Sequence, residues 1–392
     1  MVRVGLDVAR DDGFAMLRGL RVGLIANPTS VDEKFRHAVD LVSSAPGVKL
    51  EALFGPEHGL RGEAQYMVPV DDVARDERTG VPVHSLYGHT FASLSPKPEQ
   101  LVGLEALVFD IQDVGSRYYT YIYTMALAMK AAAHAGLKFV VFDRPNPIGL
   151  DAMEGNIVGP DYRSFVGLYD LPNRHGLSAG EVARFINRDQ GWKADLHVVP
   201  CAGLRRAMRW ADCGRHFVPP SPNMPTPDTA LVYPGMCMLE GTNVSEGRGT
   251  TRPFEQFGAP WLRSASVADA LNAEALPGVV FRPVAFTPTF DKFAGQSCEG
   301  AFIHVTDARA FRPVLTGVAV VRTLMQQGAK NFAWRKDAYE FVDKIPAFDL
   351  LAGCSEVRTR LEGGATSREA LSGFEGALEA FRSHSADVYL YG

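Results

Sequence analysis

The chain has 392 residues, 46% of them hydrophobic and 22% charged, with a formal net charge of −5. That is the composition of an ordinary globular protein long enough for two domains. Mild acidity and the lack of a basic stripe argue against a nucleic-acid partner, and no apolar run is long enough to span a bilayer.

The opening stretch MVRVGLDVARDDGF has neither the apolar core nor the small-residue cleavage site of a secretory leader, so a cytoplasmic location is expected unless a leader has been removed. Four β-branched runs follow: RVGLIA (21–26), VKLEALF (48–54), EALVFDI (105–111) and KFVVFD (138–143). They predict strands buried on both faces. Between the last two, YIYTMALAMKAAAHAG predicts a helix that stops at Gly136. Strand, helix, strand at this spacing predicts an α/β fold with a parallel sheet.

Each predicted strand ends in a polar or Gly/Pro-rich loop: NPTSVD, GPEHGLRGE, QDVGSRYY and RPNPIG. Open parallel sheets bind ligands along that carboxyl edge, so these loops are expected to converge on one crevice. In the second loop Glu57 follows Pro56 on a tight turn and shares it with His58 and Arg61, which fits a general acid. In the third, Asp110 and Asp113 flank a strand end, as catalytic carboxylates or as caps of the next helix. Arg117 is an anion clamp candidate, and Tyr119 beside it a candidate for stacking on a ring or for core. Asn146 of RPNPIG can offer its amide to the crevice. In NRHGLSAGE, Ser178 and Glu181 stand at capping-box spacing, while Arg174 and His175 are free to reach a ligand.

The Pro-rich tract 219–261 is expected to be irregular, because so many prolines oppose a regular helix or central strand. It carries Asn223 and then the densest polar loop of the chain, EGTNVSEGRGTTRPFE, with Glu240, Asn243, Glu246 and Arg248 among glycines that permit close backbone approach. Beyond it VVFRPVAF and GAFIHVTD predict strands, and 313–327 and 367–383 predict helices. The organisation expected is a larger domain over 1–255 and a smaller α+β, lid-like domain over 256–392. No nucleotide fingerprint, HExxH, GxSxG or CxxC occurs, so neither a metal site nor a cofactor is expected, and the five cysteines are expected to be reduced.

Taken together, LFGPEHGLRGE, LVFDIQDVGSRYYTYIYTMALAM, FDRPNPIG, PSPNMPTPDTALVYPG and EGTNVSEGRGTTRPFE resemble the NamZ-type exo-β-N-acetylmuramidases, glycoside hydrolase family one hundred and seventy-one. The likeness covers nearly the whole chain. It implies a Rossmann-like first domain, a smaller C-terminal lid and an active site between them. It also implies release of a terminal N-acetylmuramic acid from the non-reducing end of peptidoglycan fragments, without a cofactor. By motif, Glu57 is the acid/base residue; Glu240 is the first choice for the second carboxylate, then Asp110, Asp113 or Glu246. Where the resemblance implies a glutamate in the helix after QDVGSRYY, this chain reads AMKAAAHAG, with Lys130 and His134 instead. The lactyl carboxylate of the sugar calls for an arginine, and Arg117 and Arg248 are the candidates. Retention and inversion of configuration both stay open, as does oligomeric state. The alternative is a non-catalytic muropeptide-binding protein on the same scaffold.

Overall fold

The computed structural model describes residues 1–60 and 75–392. The four apolar runs form β1 (Arg21–Ala26), β2 (Lys49–Gly55), β4 (Ala106–Asp110) and β5 (Lys138–Phe142), joined by β3 (Val83–Ser85) and β8 (Asp195–Val199) at the two edges. All neighbours are parallel, in the order β3-β2-β1-β4-β5-β8. β1 and β4 are almost wholly buried, as a sheet covered on both faces requires. The sequence reading missed the edge strands, which are short and only partly buried. The helix Tyr121–His134 covers one face and is followed by Gly136 at φ 68, the left-handed conformation that ends it.

A two-stranded ribbon of β6 (Glu154–Ile157) and β7 (Pro172–Arg174) leads away from this sheet. The C-terminal part is built on an antiparallel sheet, β10 (Val279–Phe286), β11 (Cys298–Val305) and β9 (Gln256–Ala259), in the order β10-β11-β9. The architecture is thus a Rossmann-like parallel sheet with a smaller α+β part, as expected. One apolar core runs without a break from Ile25 and Phe54 through the 121–134 helix to Val318 and Leu350. A second core fills the opposite face of the parallel sheet. All five cysteines are free and buried.

Two expectations need correction. The Pro-rich tract contains a regular helix, Pro227–Met236. Pro227 sits at its first turn, where no amide hydrogen is needed, and the Thr226 hydroxyl accepts the Thr229 amide as an N-cap. Pro234 lies in its last turn, just before a 3-10 turn over Cys237–Gly241. The helix expected over 367–383 is two, Ser367–Ala370 and Glu375–Ser385, divided at Gly373, whose φ is 88.

Candidate active site

Glu57 owes its position to a tight turn at the carboxyl end of β2. The Gly59 amide donates to the Pro56 carbonyl at 2.9 Å, and His58 takes a left-handed φ of 71 inside that turn. Glu57 and His58 both face a cavity and are buried. The Thr120 hydroxyl, just ahead of the 121–134 helix, donates to Glu57 Oε2 at 2.8 Å. Tyr118, Tyr119 and Tyr121 come from the same approach to that helix and line the cavity with it.

The opposite wall comes from the Pro-rich tract and its helix. Ser221, Asn223, Met224 and Tyr233 line it. Tyr233 meets Phe254 edge-to-face at 4.9 Å and Tyr119 at 5.7 Å, so the wall is a connected aromatic surface. Glu240 enters beside it, held by two strong donors: Arg248 Nη2 at 2.7 Å and the Tyr339 hydroxyl at 2.8 Å. Arg248 also approaches Glu246 at 3.2 Å, and Lys292 donates to Glu246 at 2.8 Å. These four residues form a chain of alternating charge, buried except at the half-buried Lys292, in which each ion has an opposite partner.

The C-terminal part supplies Tyr339 and Glu340 to the same cavity. They belong to a two-residue hairpin: Tyr339 N donates to Val342 O at 2.8 Å and Val342 N to Tyr339 O at 3.0 Å. Its central residues, Glu340 and Phe341, have φ of 44 and 68. Such turns ordinarily use Asn-Gly, since positive φ costs other L-residues roughly 1–2 kcal/mol each. Glu340 is 3% exposed, and among the described residues nothing donates to its Oε2. Burial, reinforced by the negative charges of Glu57 and Glu240, pushes the Glu340 carboxyl well above the usual carboxylate range. The Tyr87 phenol is turned toward both Glu57 and Glu340, and burial together with those two charges raises it as well.

Of the residues singled out in the sequence, Glu57, His58, Tyr119, Asn223, Glu240 and Arg248 are brought together. Glu246 lies one contact behind, against Arg248. Arg61 lies outside the described residues. The others are placed elsewhere. Asp110 is fully buried in a bidentate pair with Arg144, at 2.6 and 2.9 Å. Asp113 Oδ2 accepts the Gly115 amide at 2.7 Å and lies 3.3 Å from His175 Nε2, while His175 Nδ1 accepts the Leu177 amide. Arg117 is no anion clamp for this cavity: it is fully buried, and its guanidinium donates to the carbonyls of Asn156, Leu171 and Leu351. Arg174 pairs with Glu154 and donates to the Ile148 carbonyl. Asn146 accepts the Ile148 amide and donates to the Leu177 carbonyl, and Asn243 pairs with the backbone of Asn331 and Ala333. Lys130 and His134 line a separate surface depression with Pro98 and Leu127.

The four strand-end loops therefore do not meet in one crevice. Thr29, Asp32, Gln112 and Arg144 border a second depression at the carboxyl edge, between the loops after β1, β4 and β5. Nor do the glycines of the EGTN loop all serve a ligand. A Cβ on Gly241 would come within 2.5 Å of Phe348 Cα, so this glycine lets the chain pack on itself. The residue the sequence reading missed is Glu340. AYEFVDK has no Gly, Asn or Asp at the centre of its turn, and only the fold carries it to the cavity.

Among the described residues no group of three or more His, Cys, Asp and Glu side chains is arranged to hold a metal ion. The arrangement offers three glutamates, one arginine and aromatic walls. That set suits acid/base chemistry on a neutral ring bearing an anionic substituent.

Comparison with known proteins agrees. The profile described as "Exo-beta-N-acetylmuramidase NamZ, N-terminal" matches residues 22–228, and its C-terminal counterpart matches residues 231–391. The chain is 45% identical over 390 residues to the peptidoglycan beta-N-acetylmuramidase NamZ of Bacillus subtilis (strain 168), covering 100% of this chain and 91% of that one. Crystal structures of two DUF1343 family proteins of Bacteroides fragilis NCTC 9343 are similar over 100% of this chain and 99% of theirs, with TM-scores of 0.89 and 0.78 at 36% and 27% identity. With both halves matched in order, the chain belongs to the NamZ exo-β-N-acetylmuramidase family.

Proposed function

We propose that this protein is an exo-acting glycoside hydrolase that removes terminal β-linked N-acetylmuramic acid from the non-reducing end of peptidoglycan fragments. The observation that carries this reading is the burial of Glu57 of the GPEHG motif in one cavity with Glu240, Arg248 and the Tyr119–Tyr233–Phe254 surface. Glycoside hydrolysis needs one carboxyl to protonate the leaving oxygen and a second to activate water or attack the sugar. Carboxylates in differing surroundings can take these two roles at the same pH. The aromatic wall gives the sugar an apolar face to rest on, and Arg248 supplies positive charge for the lactyl carboxylate. No cofactor takes part in this scheme.

The test compares a chromogenic β-N-acetylmuramide with the matching β-N-acetylglucosaminide. Selective turnover of the muramide is expected, and free N-acetylmuramic acid should be released from MurNAc-GlcNAc. Glu57→Gln should lower kcat by roughly 10²–10⁴-fold while leaving the melting temperature nearly unchanged. Tight muropeptide binding with no product over long incubation would instead identify a binding protein.

A further inference from the structure

We propose that Glu340 is the proton donor of the reaction and that Glu57, which shares the Tyr87 phenol with it, works as the carboxylate base. This rests on the glycosidase reading above and divides the labour within that site.

Three observations separate the two acids. Glu57 receives a hydroxyl hydrogen bond from Thr120, whereas Glu340 Oε2 is buried with no donor among the described residues. An ionised carboxylate left so poorly solvated is costly, while a neutral carboxyl that turns its O–H toward the cavity is not. Second, the two share a neighbour: the Tyr87 phenol is turned toward both. A phenol has a single hydrogen to donate, so it can satisfy one negative partner and must accept from the other. Third, Glu340 is held by a strained backbone, at φ 44 beside Phe341 at φ 68 in a turn with no glycine. Strain of that kind persists where a side chain must point one way. The charged and titratable groups facing Glu340 are Glu57, Glu240, Arg335 and Tyr87; the two glutamates oppose its ionisation and Arg335 favours it. Burial outweighs Arg335, so the carboxyl keeps its proton above the usual range.

Glu240 is a poorer donor. Arg248 donates to its Oε1 and Tyr339 to its Oε2, so both oxygens are already engaged as acceptors.

In the reaction, the Glu340 O–H bond breaks and its proton bonds to the bridging glycosidic oxygen. The C1–O bond breaks with its electron pair staying on that oxygen, so the leaving sugar departs as a neutral alcohol. Water adds to C1 from the side of Glu57, which takes the proton that water loses. Glu340 ends as a carboxylate and Glu57 as an acid, and proton exchange through solvent restores both.

The experiment uses two substrates that differ in their need for a proton donor. MurNAc-GlcNAc has a poor leaving group, and a dinitrophenyl β-N-acetylmuramide has one that departs unaided. Glu340→Gln should lose at least ~10²-fold in kcat on the disaccharide and less than ~10-fold on the dinitrophenyl glycoside, within the range of acid catalysis. The alkaline limb of its pH profile should disappear. Glu57→Gln should lose comparably on both. Equal losses for Glu340→Gln on the two substrates, or none on the disaccharide, would overturn the assignment. If Glu340→Gln does not fold, Glu340→Asp keeps an acid one methylene short and should show the same inequality in milder form. A wild-type enzyme that cleaves neither substrate would refute the glycosidase reading itself, a result distinct from either outcome for the variants.

Discussion

Three glutamates face one cavity, and each is held differently. Glu57 accepts a hydroxyl, Glu240 a guanidinium and a phenol, and Glu340 leaves one oxygen without a donor among the described residues. That difference makes stability depend on pH in a stated direction. Because the folded-state carboxyl of Glu340 titrates well above its ordinary value of 4.5, the folded chain binds more protons than the unfolded one across that interval. Its contribution is therefore complete below the ordinary value and is lost as pH rises through the raised one. Glu340→Gln, which cannot ionise, should gain stability over wild type as pH is raised from 5 to 8. Paired melting curves across that range will show this, and a gap that stays flat or reverses would contradict it. Residue types around Glu57 were legible because four acids and bases crowd a short Gly/Pro loop. Glu340 was not, since a lone glutamate between two aromatics looks like any surface turn until the fold buries it.

At the scale of elements, the cavity depends on how two helices touch. Gly235 of Pro227–Met236 and Gly317 of Pro313–Gly328 meet backbone to backbone. A Cβ on Gly235 would fall 1.9 Å from the Pro313 carbonyl oxygen, and one on Gly317 would fall 2.3 Å from the Gly235 carbonyl oxygen. Neither neighbour is a flexible side-chain tip. Gly317→Ala should cost about 1–3 kcal/mol, the range for overpacking a well-filled interior. By pushing the 227–236 helix away it should also displace Tyr233 and raise KM for the muramide. Denaturant titration together with steady-state kinetics checks both effects, and a variant as stable as wild type would mean the helices have room to part. The central strands and the 121–134 helix were legible as elements because each meets its partners through a continuous apolar run. The 227–236 helix was hidden by its prolines, whose meaning depends on position: Pro227 at the first turn costs nothing, and a count of prolines does not reveal that.

At the scale of the whole molecule, the α/β class was legible from alternating runs and the active region from the loops at their ends. The division of those loops between two depressions was not, because it depends on which strands stand side by side. Order along the chain does not say that β1 lies between β2 and β4. The role of Arg117 was hidden for a related reason. Sequence shows a cation beside tyrosines, whereas its three carbonyl acceptors lie 39, 54 and 234 residues away. Arg117→Met takes the guanidinium from the buried carbonyls of Asn156 and Leu171, at roughly 1–3 kcal/mol each, while Leu351 keeps its bond from Asn173, so it should lower stability severely while any folded fraction keeps its KM. The Leu351 carbonyl, which accepts from both Arg117 and Asn173, ties the C-terminal half to the first at a dehydrated point. To part the halves, both donors would have to give up that carbonyl in a dehydrated interior. If that tie holds through turnover, amide exchange along 347–352 should be equally slow with and without added N-acetylmuramic acid, and faster exchange on one side of that comparison would mean that the tie opens.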